Sequence, residues 1–158
     1  MQEERRNYVS ALEQERSRVR EFLQLLEHEQ SALVAGDHDQ LMAFTEQKAA
    51  RVLELRRYSE NRSRLLASYG LRADRDGMSE WIEQHADATT RRIWDEIKSL
   101  AAQVRATNEV NGVLVEARLK HNQASIAALQ AAAQSASVYG HEGATRLTDS
   151  PSRRLASA

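Results

Sequence analysis

No proline occurs before Pro151, and over most of the chain up to Val138 apolar residues return every three or four positions. A chain so patterned can continue an α-helix almost without interruption, and its breaks must come from glycines and caps. One stripe reads Tyr8, Leu12, Val19, Phe22, Leu26 and Leu33, widened by Leu23 and Leu25. Steps of three, four and seven put these residues on one helix face, with Arg and Glu opposite, and predict a helix over about 3–35. Gly36 supplies the C-cap. Asp37 follows as N-cap, with Gln40 completing a capping-box arrangement. Such a short connection makes the next helix an antiparallel neighbour. That helix covers about 37–69, through Leu41, Phe44, Lys48, Val52, Leu55, Tyr58, Leu65, Leu66 and Tyr69, and ends at Gly70.

The stretch LRADRDGMS reads as a loop turning at Asp76-Gly77. Ser79 caps a short helix, 79–86, whose Trp81 and Ile82 cover one end of the hairpin. A third long helix starts at Asp87 or Thr89, both usable caps. Within it lies TNEVNGVLVEA, where Asn111-Gly112 resembles a hairpin turn. Phase decides against the turn. The stripe Ile93, Ile97, Leu100, Val104, Asn108 continues as Asn111, Val115, Leu119, Asn122, Ile126, Leu129 and Ala133. A tight turn would leave the two runs with unrelated phases. The helix is therefore expected to run through to about 137, outreaching the hairpin arms and ending in the shallow, alanine-rich ASIAALQAAAQSAS. Beyond Tyr139-Gly140, HEGATRLTDSPSRRLASA has no apolar period, and 144–158 reads as a disordered tail. The expected fold is all-α: one domain over 1–143, built as a long antiparallel hairpin, a short helix and a third long helix (88–137), an elongated, coiled-coil-like bundle.

Several function classes fall away. Net charge is −1, so the overall field attracts neither nucleic acid nor an acidic membrane. There is no cysteine, hence no disulfide or thiolate chemistry. The N-terminal stretch lacks a signal-peptide core, and no run approaches a membrane span, so a cytoplasmic protein without membrane insertion is expected. None of His28, His38, His85, His121 and His141 follows a glutamate by three residues, which removes the Glu-x-x-His pairs of helical di-metal sites. No phosphate loop or nucleophile elbow is present. Arg51, Arg56 and Arg57 alternate with glutamates, as on a salt-bridged helix surface. No catalytic, metal or cofactor site is expected.

Polar residues on the seams are more informative. Glu29 and Lys48 lie on or beside the hairpin seams, either as a register-fixing pair or with aliphatic stems packed and charges reaching water; the second reading is favoured. Asn108, Asn111 and Asn122 on the third stripe serve equally well as an internal register lock or as contacts for a partner. Gly112 beside them allows another helix to approach.

In order along the chain, these features resemble the FlgN family of flagellar type III export chaperones. The first hairpin contributes Glu29, Ala32-Leu33, Gly36-Asp37, Leu41 and Lys48, then Arg62, Leu65-Leu66 and Gly70. The most specific element is Asn108-x-x-Asn111-Gly112-x-Leu114-Val115-Glu116, followed by Asn122-Gln123 and Leu129. Tyr139-Gly140-His141-Glu142-Gly143 is similar to the family's Tyr-Gly-x-x-Gly box, with His141 where members often have Pro or Ala. The match covers roughly 10–143. It implies a cytoplasmic chaperone that binds the C-terminal segments of hook-associated proteins, prevents their premature self-association and delivers them to the flagellar export gate. The client is then expected on Asn108, Asn111, Gly112, Val115, Leu119, Asn122, Ile126 and Leu129, and docking to the export apparatus at Tyr139 and Gly140. A monomer or weak oligomer fits this reading. Its competitor is a structural coiled-coil adaptor that dimerises through the third helix.

Overall fold

A computed structural model of the chain describes residues 2–145, with side-chain surroundings described over 6–138. Four helices follow one another: α1 (Gln2–Ala35), α2 (His38–Ser68), α3 (Arg75–His85) and α4 (Ala88–Thr145). The fold is an all-α helical bundle, and the chain divides into two compact units, Met1–Val115 and Glu116–Ala158.

In the first unit the seam of α1 is stricter than its apolar residues alone suggest. Tyr8, Leu12, Glu15, Val19, Phe22, Leu26, Glu29 and Leu33 are all buried, in alternating steps of four and three. That is heptad spacing, with glutamates at two seam positions. The facing positions of α2, among them Phe44, Lys48, Leu55, Tyr58, Arg62 and Leu65, are half-buried and keep the same alternation. Arg62 donates to Glu15, and Lys48 Nζ donates to both Glu29 oxygens at 3.0 and 3.1 Å. The two glutamates lie two heptads apart on α1, as do their cations on α2. A one-residue slip of the antiparallel register separates both pairs at once and strands two buried carboxylates, which costs several kcal/mol, on the order of 3–5 for each broken pair. Lys48 therefore pairs rather than reaching for water. On the hairpin surface Arg18 bridges Glu21 and Glu54, and Arg51 bridges the same two acids.

The largest cluster in the core joins all four helices: Tyr8 and Leu12 from α1, Leu66 from α2, Met78, Trp81 and Ile82 from α3, Ile93, Trp94 and Ile97 from α4. Trp81 is 1% exposed and meets Tyr8 edge-on at 4.8 Å and Tyr69 at 6.1 Å. Since Tyr8 and Tyr69 mark the same end of the hairpin, α3 covers that end. A second cluster, Val19, Leu23 and Leu100, packs with Leu55 and Val104.

The ends of the helices show where glycine and aspartate act. Gly36 (φ 79°) and Gly70 (φ 70°) adopt the left-handed conformation that closes α1 and α2. Asp37 makes no side-chain cap bond to α2, so the expected capping box with Gln40 does not form. Helix α3 begins at Arg75, four residues before Ser79, because Asp74 is its cap: the carboxylate accepts from the Gly77 N–H at 2.9 Å. Asp76-Gly77 is thus the first turn of a helix, not a loop turn. Glycine is needed there for another reason, since a Cβ would lie 2.0 Å from the Arg72 carbonyl oxygen. Asp87 caps α4 by accepting from the N–H and the hydroxyl of Thr90, at 2.8 and 2.7 Å.

Helix α4 passes through Asn111-Gly112 without a break and continues to Thr145, beyond the expected end near Ser137. A glycine inside a helix costs only about 1 kcal/mol relative to alanine, and no proline interrupts the run. The expected disordered tail, 144–158, lies outside the described residues from 146 onward.

Candidate functional site

The expected partner-binding residues fall into two environments. In the first unit α4 turns a heptad face inward: Ile93, Ile97 and Leu100 are buried, Val104, Thr107 and Leu114 half-buried, and Asn111 is 1% exposed. The expected stripe took a second step of four after Val104 and so reached Asn108 and Val115. Both are exposed. Coiled-coil packing holds the inward face to 3.5 residues per turn, which makes Thr107 and Leu114 the inward positions instead.

Asn111 is an internal lock. Its Nδ2 donates to the Leu26 carbonyl at 2.9 Å and to Glu29 Oε2 at 2.8 Å. Glu29 in turn accepts from Lys48, so one buried node ties α1, α2 and α4 together. The Asn111 Oδ1 has no hydrogen-bond partner among the described residues. A second tie lies along the same seam, where the Arg62 guanidinium, bound to Glu15, sits 5.5 Å from the Trp94 ring centre. Buried polar groups that satisfy one another in a single register give the bundle its specificity. Gly112 faces open space: among the described residues nothing lies within 4 Å of the position a Cβ would take.

The second unit presents a different surface. From Glu116 to Val138 no side chain is buried. Leu119, Asn122, Ile126, Leu129 and Ala133 recur in steps of three and four on one face of the helix. Leu119 is 56% exposed, Ile126 55% and Leu129 70%. From His121 to Val138 the sequence contains no Asp, Glu, Lys or Arg. An exposed helix normally carries charge on its solvated faces; this one carries alanine, serine, glutamine and an apolar stripe. Tyr139 and Gly140 belong to α4 by their backbone, and their side-chain surroundings lie outside the described residues.

Three packing positions escaped the sequence reading: Glu15 as a seam residue, and Thr107 and Leu114 as inward positions of α4. A strict four-three count from Leu12 to Val19, and onward from Val104, points to all three.

Among the described residues no group of three His, Asp or Glu is arranged to hold a metal, and no helix is long and apolar enough to cross a membrane. No curated protein matches the chain. A solved structure of a flagella synthesis protein of the FlgN type from Pseudomonas aeruginosa is similar in fold, with a TM-score of 0.60 and 23% identity over 67% of this chain and 84% of that one. The family model described as FlgN protein matches residues 1–146. The chain therefore belongs to the FlgN family, non-enzymatic chaperones of flagellar biogenesis.

Proposed function

We propose that the chain is a cytoplasmic export chaperone that holds the C-terminal segments of hook-associated proteins on the face of α4 formed by Leu119, Asn122, Ile126 and Leu129. The observation that carries this reading is an apolar heptad stripe, more than half exposed, on a helix without charge from His121 to Val138. An amphipathic segment that is unfolded in the free client can cover such a stripe as a second helix. It orders as it binds, so its affinity stays moderate, which suits a complex that must come apart at the export gate. Alanine-rich turns let two helices approach closely. Asn108, Gly112 and Val115 are exposed in the first unit and remain available to a client, whereas Asn111 is committed to the interior. Tyr139 and Gly140 are assigned to docking at the export apparatus. Their replacement by alanine is expected to leave client affinity unchanged and to reduce secretion of the client.

The test is the affinity of the full chain for the C-terminal segment of a hook-associated protein. Ile126→Asp with Leu129→Asp should abolish measurable binding while the circular dichroism spectrum stays helical. Undiminished binding in that variant refutes the placement. The same exposed stripe would serve a coiled-coil adaptor that dimerises through α4, and solution mass separates the two. A stable dimer in the absence of client, lost in the Asp variant, favours the adaptor.

A further inference from the structure

Within the first unit, α2, the start of α3 and α4 leave a groove of about 440 Å³. Its floor is apolar, with Leu66, Met78 and Trp94 at the bottom and Ala101 and Ala102 along the α4 wall. Its cations are Arg62, Arg75, Lys98 and Arg105, against a single lining acid, Asp74. These charges are not equally available. Arg62 is held by Glu15, and Lys98 Nζ lies 2.8 Å from Asp95. The Asp74 carboxylate is taken up by the Gly77 N–H and by Arg72. Arg75 and Arg105 stand at the rim, and among the described residues no carboxylate lies within ion-pair distance of either guanidinium. A cationic rim over an apolar, alanine-walled floor has unspent recognition capacity on both counts.

We infer that this groove binds an acidic amphipathic helix of a partner protein, at a site separate from the stripe on residues 119–129. The small alanine side chains permit helix axes to come close, and an apolar face laid on the floor brings flanking carboxylates to Arg75 and Arg105. Charge argues against the chain's own C-terminal residues as occupant: 146–158 carry Arg146, Arg153 and Arg154 against Asp149. The inference does not rest on the proposed client site. A surface of this kind lets the chaperone engage a second partner while a client is held elsewhere.

The probe is a labelled synthetic helical peptide with leucine and alanine on one face and glutamate on the other, titrated against the full chain by fluorescence anisotropy. Its counterpart carries lysine in place of glutamate. The glutamate peptide should bind and the lysine peptide should not. Reversal of both rim charges, Arg75→Glu with Arg105→Glu, should weaken binding by about tenfold, as two exposed ion pairs become repulsions. Arg56→Glu with Arg57→Glu changes net charge by the same amount at exposed positions outside the groove and should leave affinity unchanged. Ala102→Tyr narrows the groove from the α4 wall without removing either rim charge and should also weaken binding. Equal losses in the two charge-reversed variants, or full affinity in Ala102→Tyr, overturn the proposal. So does self-association of the wild-type chain that the Arg75→Glu, Arg105→Glu variant abolishes, because the groove then belongs to a second copy. Unaltered client binding in the rim variant keeps this result distinct from the fate of the client site.

Discussion

Residues 88–115 and 116–138 belong to one helix, and water treats them in opposite ways. In the first stretch Ile93, Trp94, Ile97 and Leu100 are buried against the other helices. In the second, Leu119, Ile126 and Leu129 follow the same three-four alternation and remain more than half exposed. Periodicity therefore says which face of a helix is apolar, and says nothing about what covers it. The polar residues make the same point from the other side. Asn111 is a stripe residue that turned out to be interior, while Asn108, three positions away, faces solvent. Covering an exposed leucine or isoleucine yields on the order of 1–2 kcal/mol for each half-exposed side chain. The second stretch thus keeps in reserve the kind of energy that the first has already used in folding.

The contrast is sharpest in stability. Trp81→Ala removes the side chain that closes the end of the hairpin and should cost about 3–5 kcal/mol in denaturant titrations. Leu129→Ala, a truncation at an exposed position, should stay within roughly 0.5 kcal/mol. Next in size is the polar lock. Lys48→Met leaves the Glu29 carboxylate buried without its cation and should cost about 3 kcal/mol, at the low end for a buried pair because Lys48 is partly exposed. Asn111→Ala removes a buried donor from the Glu29 carboxylate and the Leu26 carbonyl and should cost about 1–3 kcal/mol. Asn108→Ala should change almost nothing, within roughly 0.5 kcal/mol. Equal losses at the two asparagines would show that the inward face does not follow the heptad.

A smaller effect lies in the alkaline range. Burial raises the Tyr8 phenol above its ordinary value, with Glu15 adding to the rise and Arg62 opposing it. The folded state then keeps the proton that the unfolded chain releases above pH about 10. Stability from this group is complete below that pH and declines as pH rises through it. Tyr8→Phe should flatten the fall in melting temperature above pH about 10. An unchanged slope would mean that the phenol ionises as readily in the folded chain.

Much of the fold was legible because helices announce themselves through local pattern. Gly36 and Gly70 marked the helix ends, and helical spacing on both sides of Asn111-Gly112 kept α4 in one piece, although the inward face through Leu114 and the exposed stripe from Leu119 are one residue out of phase. What was not legible depended on partners distant in sequence. Nothing near Glu15 reveals that Arg62 pairs with it, and the favoured reading of Lys48 as a solvated cation failed because Glu29, itself held by Asn111, accepts from it across the bundle. Asp76-Gly77 was taken for a turn since the requirement for glycine comes from the Arg72 carbonyl, not from the local backbone. The proposed partner surface was half legible: Leu119, Ile126 and Leu129 stood out by spacing, but only exposure separates an uncovered stripe from a buried one.

The most direct test of the account is amide hydrogen exchange of the full chain with and without the C-terminal segment of a hook-associated protein. In the free chain, amides of 119–133 should exchange much faster than those of 93–104, whose helix is pinned by packing. Client should slow exchange across 119–133 and leave 93–104 as it was. Protection that appears only within residues 1–115, or nowhere, would contradict the claim that the uncovered stretch of α4 is where the client binds.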